Sequence, residues 1–171
     1  MKTITKVFIA AFVLLGYSHS SYAQASANAS AAAKIITPIT MSLVSNMNFG
    51  NIAVSPASGG TVVFAPGSTR SSTGGVTLPS TSGSVAAANF TISGAPSYTY
   101  AISLPSSATL TDGSAHTMTM NTFTSSPSGS GTLGSGGTQT LAVGATLSVA
   151  AAQVPNAYTN SSAIPVTVNY N

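Results

Sequence analysis

The sequence has no cysteine, no tryptophan and no glutamate, and its one acidic side chain in 171 residues is Asp112. Charged residues make up 3% of the chain. Each absence removes a class of chemistry. Without cysteine no disulfide braces the fold, although an exported protein is permitted one. A single carboxylate excludes paired-carboxylate acid–base catalysis. Zinc asks for three or four Cys, His or carboxylate ligands, and beyond the N-terminal segment only Asp112 and His116 are on offer. A Ser/His/Asp set is formally available, yet Asp112 and His116 sit four apart across an Asp-Gly turn signal. No Gly-x-Ser-x-Gly elbow accompanies them. The expectation is a turn aspartate, an exposed histidine, no enzyme, no cofactor, no metal and no small-molecule substrate.

Long hydrophobic runs are also scarce. The clearest, residues 7–16, follows Lys2 and Lys6 and precedes the small residues Ser21-Tyr22-Ala23. That is the order of a secretory signal peptide, predicted to occupy residues 1–23 with cleavage after Ala23, or else after Ala25. The run is too short to span a bilayer as a helix, so a retained anchor is the weaker alternative. Export across the inner membrane follows as the expectation. Removal of residues 1–23 leaves 148 residues (171 less 23), enough for one domain. It also changes the charge. The formal +3 includes Lys2 and Lys6, and the remainder keeps Lys34 and Arg70 against Asp112, a net +1. Three charges do not make the phosphate-tracking stripe of a nucleic-acid binder. Lys34 is expected to be a solvated charge that protects an edge from wrong pairing, or a register contact to a partner. Arg70 is expected at the surface.

Ala, Ser, Thr and Gly dominate, and Val and Ile supply the core. The apolar residues are patterned, which disordered chains are not. The odd positions from 25 to 43 read Ala, Ala, Ala, Ala, Ala, Ile, Thr, Ile, Met, Leu. Their period is 2, not the 3.6 of a helix. Residues 24–33 therefore read as a flexible, strand-competent arm and 34–44 as a first strand, which Pro38 confines to an edge or a bulge. A strand over 47–54 follows, then 61–65 closed by the Pro66-Gly67 turn, and a polar loop over 68–75 carrying Arg70. Strands are predicted at 75–78, 85–93 and 98–104, the last with Tyr98, Tyr100, Ile102 and Leu104 in phase. Core packing is the expected role of the two tyrosines, with an exposed aromatic platform as the alternative. Asp112-Gly113 predicts a hairpin between 108–110 and 116–120. Residues 125–137 read as a long mobile loop, and Gly144 as a bulge or a hairpin centre between 138–143 and 145–149. Three sequons, at Asn28, Asn89 and Asn160, carry little weight in a chain this rich in Ser and Thr.

The last nine residues, 163–171, place Ile164, Val166, Val168 and Tyr170 on one face of an extended chain. Such a segment belongs in a sheet. Short strands with turn signals at about ten-residue spacing, and no convincing helix, argue for an all-β sandwich occupying residues 34–171. No fixed repeat appears, which argues against a solenoid.

Two strand-competent ends flanking such a sandwich resemble the bacterial chaperone–usher pilins. The resemblance rests on the alternating Ile164, Val166, Val168 and penultimate Tyr170, and on the arm bearing Ala25, Ala27, Ala29, Ala31, Ala33 and then Ile35. Asn48-Phe49-Gly50-Asn51-Ile52-Ala53-Val54, Gly60-Thr61-Val62-Val63, residues 73–78 and Val166-Thr167-Val168-Asn169-Tyr170 further resemble a bacterial surface-protein family known only as a domain of unknown function, which looks related to the spore coat protein U-like pilins. The resemblance implies an immunoglobulin-like sandwich lacking one strand, completed by a donor strand. It implies a structural subunit of a surface pilus or fimbria. Its partners would be identical or related pilin subunits, a periplasmic chaperone and an outer-membrane usher. Ile164, Val166, Val168 and Tyr170 would border the acceptor groove, and the alanines with Ile35 would fill it in a neighbour. Alanine is smaller than the usual donor side chain, so the working segment is either 25–33 or one shifted toward Ile35, Ile39 and Met41. A secreted monomeric adhesin or matrix protein that binds a glycan or surface is the rival reading. Ice binding, prompted by pairs such as Thr117 and Thr119, is a third.

Overall fold

Alternating apolar and hydroxyl side chains become strand along most of the chain in a computed structural model, which describes residues 24–160 and 162–171. The predicted signal peptide, residues 1–23, lies outside the described residues. The chain divides into two units, Met1–Ile35 and Ile36–Asn171. In the first, the described residues 24–35 carry no regular secondary structure and are exposed throughout, Ile35 at 96%.

The second unit is built from β1 (Thr40–Ser45), β2 (Asn48–Phe49), β3 (Ala53–Val54), β4 (Gly60–Phe64), β5 (Arg70–Gly74), β6 (Val76–Thr77), β7 (Val85–Ala86), β8 (Ala88–Ser93), β9 (Thr99–Ser103), β10 (Ser107–Thr111), β11 (Thr117–Ser126), β12 (Ser130–Thr132), β13 (Thr138–Val149), β14 (Thr159–Asn160) and β15 (Thr167–Tyr170). There is no helix among the described residues. The eight-stranded sheet runs β1-β8-β13-β11-β10-β14, with β4 on β13 and β5 outside β4. A three-stranded sheet runs β12-β9-β15, and β2-β7 and β3-β6 form two short ribbons. All the pairings are antiparallel. The molecule is an all-β sandwich.

β13 is the spine. Its first half pairs with β8, its second half with β4, and its other edge takes β11. Strand periodicity sorts its side chains. Leu141, Val143, Ala145 and Leu147 are at most 1% exposed, while Thr146 and Ser148 lie on the opposite face. The same sorting puts Thr109, Thr119, Ser148, Thr61 and Thr73 in one cross-strand row on the outer face. Two apolar clusters cover the inner face. One joins Phe64, Met120 and Leu147 to Phe49 and Val76 of the ribbons. The other joins Ile92, Leu141 and Val143 to Tyr100, Leu133 and Val166. Tyr100 is fully buried, and its hydroxyl donates to Gln139 Oε1 at 2.7 Å. That bond satisfies the one polar atom of a ring whose burial raises its pKa.

Several expectations need correction. The first strand begins at Thr40, not at 34; Pro38 has no N–H to donate, so pairing starts beyond it. β1 is an edge with an irregularity between Leu43 and Ser45, as Pro38 implies. The stretch 47–54 is two short strands, broken where Gly50 takes φ 69°. The supposed loop carrying Arg70 is a strand, β5, hairpinned to β4. The supposed mobile loop 125–137 contains the end of β11 and all of β12. Gly144 is neither a bulge nor a hairpin centre. It lies inside β13, where a Cβ would come 2.1 Å from the Phe64 carbonyl oxygen. The bulge sits opposite, on β11 between Asn121 and Thr124. The Asp-Gly hairpin forms as expected between β10 and β11.

Candidate functional site

The cover over the large sheet is incomplete. β2, β3, β6 and β7 are two residues each, too short to roof the inner face of β10, β11 and β13. The gap is a groove of about 1220 Å³. The large sheet contributes Phe90, Leu110, Met118, Met120, Val143, Leu147 and Val149 to it; Leu43 and segment 46–54 flank it; residues 153–160 with Ile164 and Val166 are also in its lining. Protein interiors pack with few voids larger than a water molecule, so a groove of this size is an opening into the core. It explains Leu43, 55% exposed although it lies in the predicted inward phase.

Several strands pair on one side only among the described residues, and β1 and β15 are two of them. β1 pairs with β8 alone, and β15 with β9 alone. Each presents N–H and C=O groups ready for another strand. Of the four residues predicted to border a groove, Ile164 and Val166 line it. Val166 also belongs to the cluster of Ile92, Tyr100 and Leu133, and Val168 and Tyr170 pack against that cluster without lining the groove.

Tyr170 is a latch. Its hydroxyl accepts from Ala95 N–H at 2.6 Å and donates to the Thr37 carbonyl at 2.9 Å. Its ring meets Tyr98 edge-on at 5.7 Å. Gly94 makes room: a Cβ there would lie 2.1 Å from the Tyr170 hydroxyl. Tyr98 is 43% exposed, and with Tyr100 in the core the two tyrosines do not form a platform.

Around the groove, Arg70 is half-buried rather than free at the surface. Its Nη1 donates to the carbonyls of Phe49 and, at 3.0 Å, Asn51. The guanidinium thus holds the broken strand 48–54 in place by charge-assisted bonds. On the other side, Gln153 Nε2 donates to the Thr117 carbonyl at 3.3 Å and to Tyr158 Oη at 2.8 Å. Asp112 accepts from His116 Nδ1 at 2.7 Å, from Ser114 N–H at 2.8 Å and from Asn156 Nδ2 at 3.4 Å. The hydrogen bond from His116 holds the carboxyl below its ordinary range, with Ser114 and Asn156 helping and burial opposing. These two residues fasten a hairpin to the loop lining the groove.

The donor residues named above, Ala25, Ala27, Ala29, Ala31, Ala33 and Ile35, all lie in the exposed segment, as does Lys34. Ile39 and Met41, the alternative donor positions, are packed within their own chain against the cluster of Ile92 and Leu141. Sequence reasoning overlooked Arg70, which reads as an isolated surface charge until Phe49 and Asn51 are known to lie beside it. It also overlooked Met118 and Met120 as groove residues. Their i, i+2 spacing on a predicted strand carried that signal.

The fold and groove define a class: an all-β sandwich with its core open along one side and a free last-strand edge. The family model described as Domain of unknown function (DUF4402) matches residues 39–170. The chain belongs to that family. No curated protein and no solved structure gives a match.

Proposed function

We propose that the chain is a structural subunit of a bacterial surface pilus or fimbria, assembled by donor-strand exchange. One observation carries this reading: an apolar groove of about 1220 Å³ opens into the core beside Ile164 and Val166, and β15 keeps one edge unpaired. An extended segment that adds to such an edge gains backbone hydrogen bonds and buries alternate side chains. Residues 25–35 offer such a segment, exposed and apolar at every second position. Since Ile39 and Met41 are already used in their own core, the donor register falls on Ala25, Ala27, Ala29, Ala31, Ala33 and Ile35. Alanine methyls contribute roughly 0.8 kcal/mol per buried carbon, so the backbone ladder supplies much of the attachment. A periplasmic chaperone would fill the groove before assembly, and an outer-membrane usher would pass the subunit to the cell surface.

The test is deletion of residues 24–33. The expected product is a chaperone-bound monomer that forms no polymer. Fibres of normal length from the deleted chain would refute the reading.

A further inference from the structure

With neither cysteine nor tryptophan in the sequence, the thioethers are the readily oxidised side chains of this protein. Of its five methionines, Met47, Met118 and Met120 line the groove. Met120 is 1% exposed, whereas Met47 and Met118 are only partly buried. Met47 packs against both apolar clusters, at the seam between the two halves of the core. Methionine suits such a place because its unbranched chain adapts to what lies against it. Sulfoxidation would end that. We propose that Met47 and Met118 are oxidation sites through which a hydroperoxide blocks strand insertion, an inference resting on the strand-acceptor reading of the groove.

The chemistry needs no other reagent. The sulfur lone pair attacks the distal oxygen of the hydroperoxide, the O–O bond breaks, an S–O bond forms, and water or an alcohol leaves. Sulfur loses two electrons and the peroxide gains them. In the open groove the new oxygen is solvated. An inserted strand would strip that water, and its own N–H groups are committed to the ladder, so the sulfoxide would be buried without a donor. Oxidation therefore discriminates. Vacant subunits are converted and excluded from assembly, while in filled subunits the sulfurs are covered. Met41, also partly buried but outside the groove lining, is an internal reference.

The experiment titrates the purified chain with a fluorescent peptide of residues 24–35, before and after hydrogen peroxide, with oxygen uptake mapped by peptide mass spectrometry. Uptake at Met47 and Met118 should weaken the peptide at least tenfold, about 1.4 kcal/mol. Bound peptide should slow uptake at those two sites and leave Met41 unchanged. In the double variant Met47→Leu with Met118→Leu, a volume-conserving change, peroxide treatment should leave the peptide affinity at that variant's own untreated value. Equal binding by oxidised and untreated chain would overturn the proposal. So would a binding loss accompanied by a collapse of the urea unfolding midpoint. Failure of the untreated chain to bind the peptide would overturn the strand-acceptor reading itself.

Discussion

Tyr170→Phe isolates one oxygen atom. The ring stays against Tyr98 and the apolar cluster, and what is removed is the hydroxyl that joins Ala95 N–H at 2.6 Å and the Thr37 carbonyl at 2.9 Å. The two partners are unequal. Ala95 is 5% exposed, so its N–H loses its acceptor in a place water does not readily reach, a cost of about 1–3 kcal/mol. Thr37 is exposed and its carbonyl returns to water, so that bond is worth roughly 0.5–1 kcal/mol. The expected destabilisation is about 2–3 kcal/mol, or a fall in Tm of roughly 4–12 °C at 2–4 °C per kcal/mol. Urea unfolding of both proteins measures it, with the m-value checked for constancy. Tyr98→Phe is the control. That ring is 43% exposed, and its substitution should shift stability by less than about 0.5 kcal/mol. If Tyr170→Phe were as mild as the control, the latch would be an ordinary surface contact, and the argument that it ties β15 to the β8–β9 turn would fail.

Donor-strand addition predicts a parity effect in the arm. In the peptide of residues 24–35, Ala29→Leu adds three carbons on the inserted face and should tighten binding by up to about 2.4 kcal/mol. Asn28→Leu, on the other face, should change it little. Equal effects at both positions, read by fluorescence anisotropy, would refute the period-2 docking. Asp112 is the one acidic side chain in the sequence, and its folded pKa is lowered by His116, Ser114 and Asn156. Its contribution to stability is therefore complete above the reference value of 3.8 and lost as pH falls through the lower folded value. Asp112→Asn should flatten stability against pH in that acid window and leave neutral pH largely unaffected; an unchanged acid limb in urea unfolding midpoints would count against the assignment.

Local pattern alone determined much of the sandwich. Short runs of β-branched and aromatic residues between turn signals marked β4, β8, the start of β11 and the two halves of β13, and period-2 alternation marked β9, because the pleat sends successive side chains to opposite faces whatever the neighbours are. Asp112-Gly113 marked the β10–β11 hairpin for an equally local reason, the positive φ of Gly113. The near absence of titratable groups also stands in the composition. Tertiary structure decided the rest. Gly144 looked like a break; the Phe64 backbone crossing 2.1 Å from where its Cβ would be makes it part of the longest strand. Arg70 looked like a solvated charge; the carbonyls of Phe49 and Asn51 come from a segment about twenty residues away. The stretch 163–171 showed a buried face but not how that face divides. Ile164 turns to the groove, Val166 sits where the groove meets the core, and Val168 and Tyr170 turn to the closed core. Alternation says that a face is covered; what covers it depends on which strands the long-range pairings bring together.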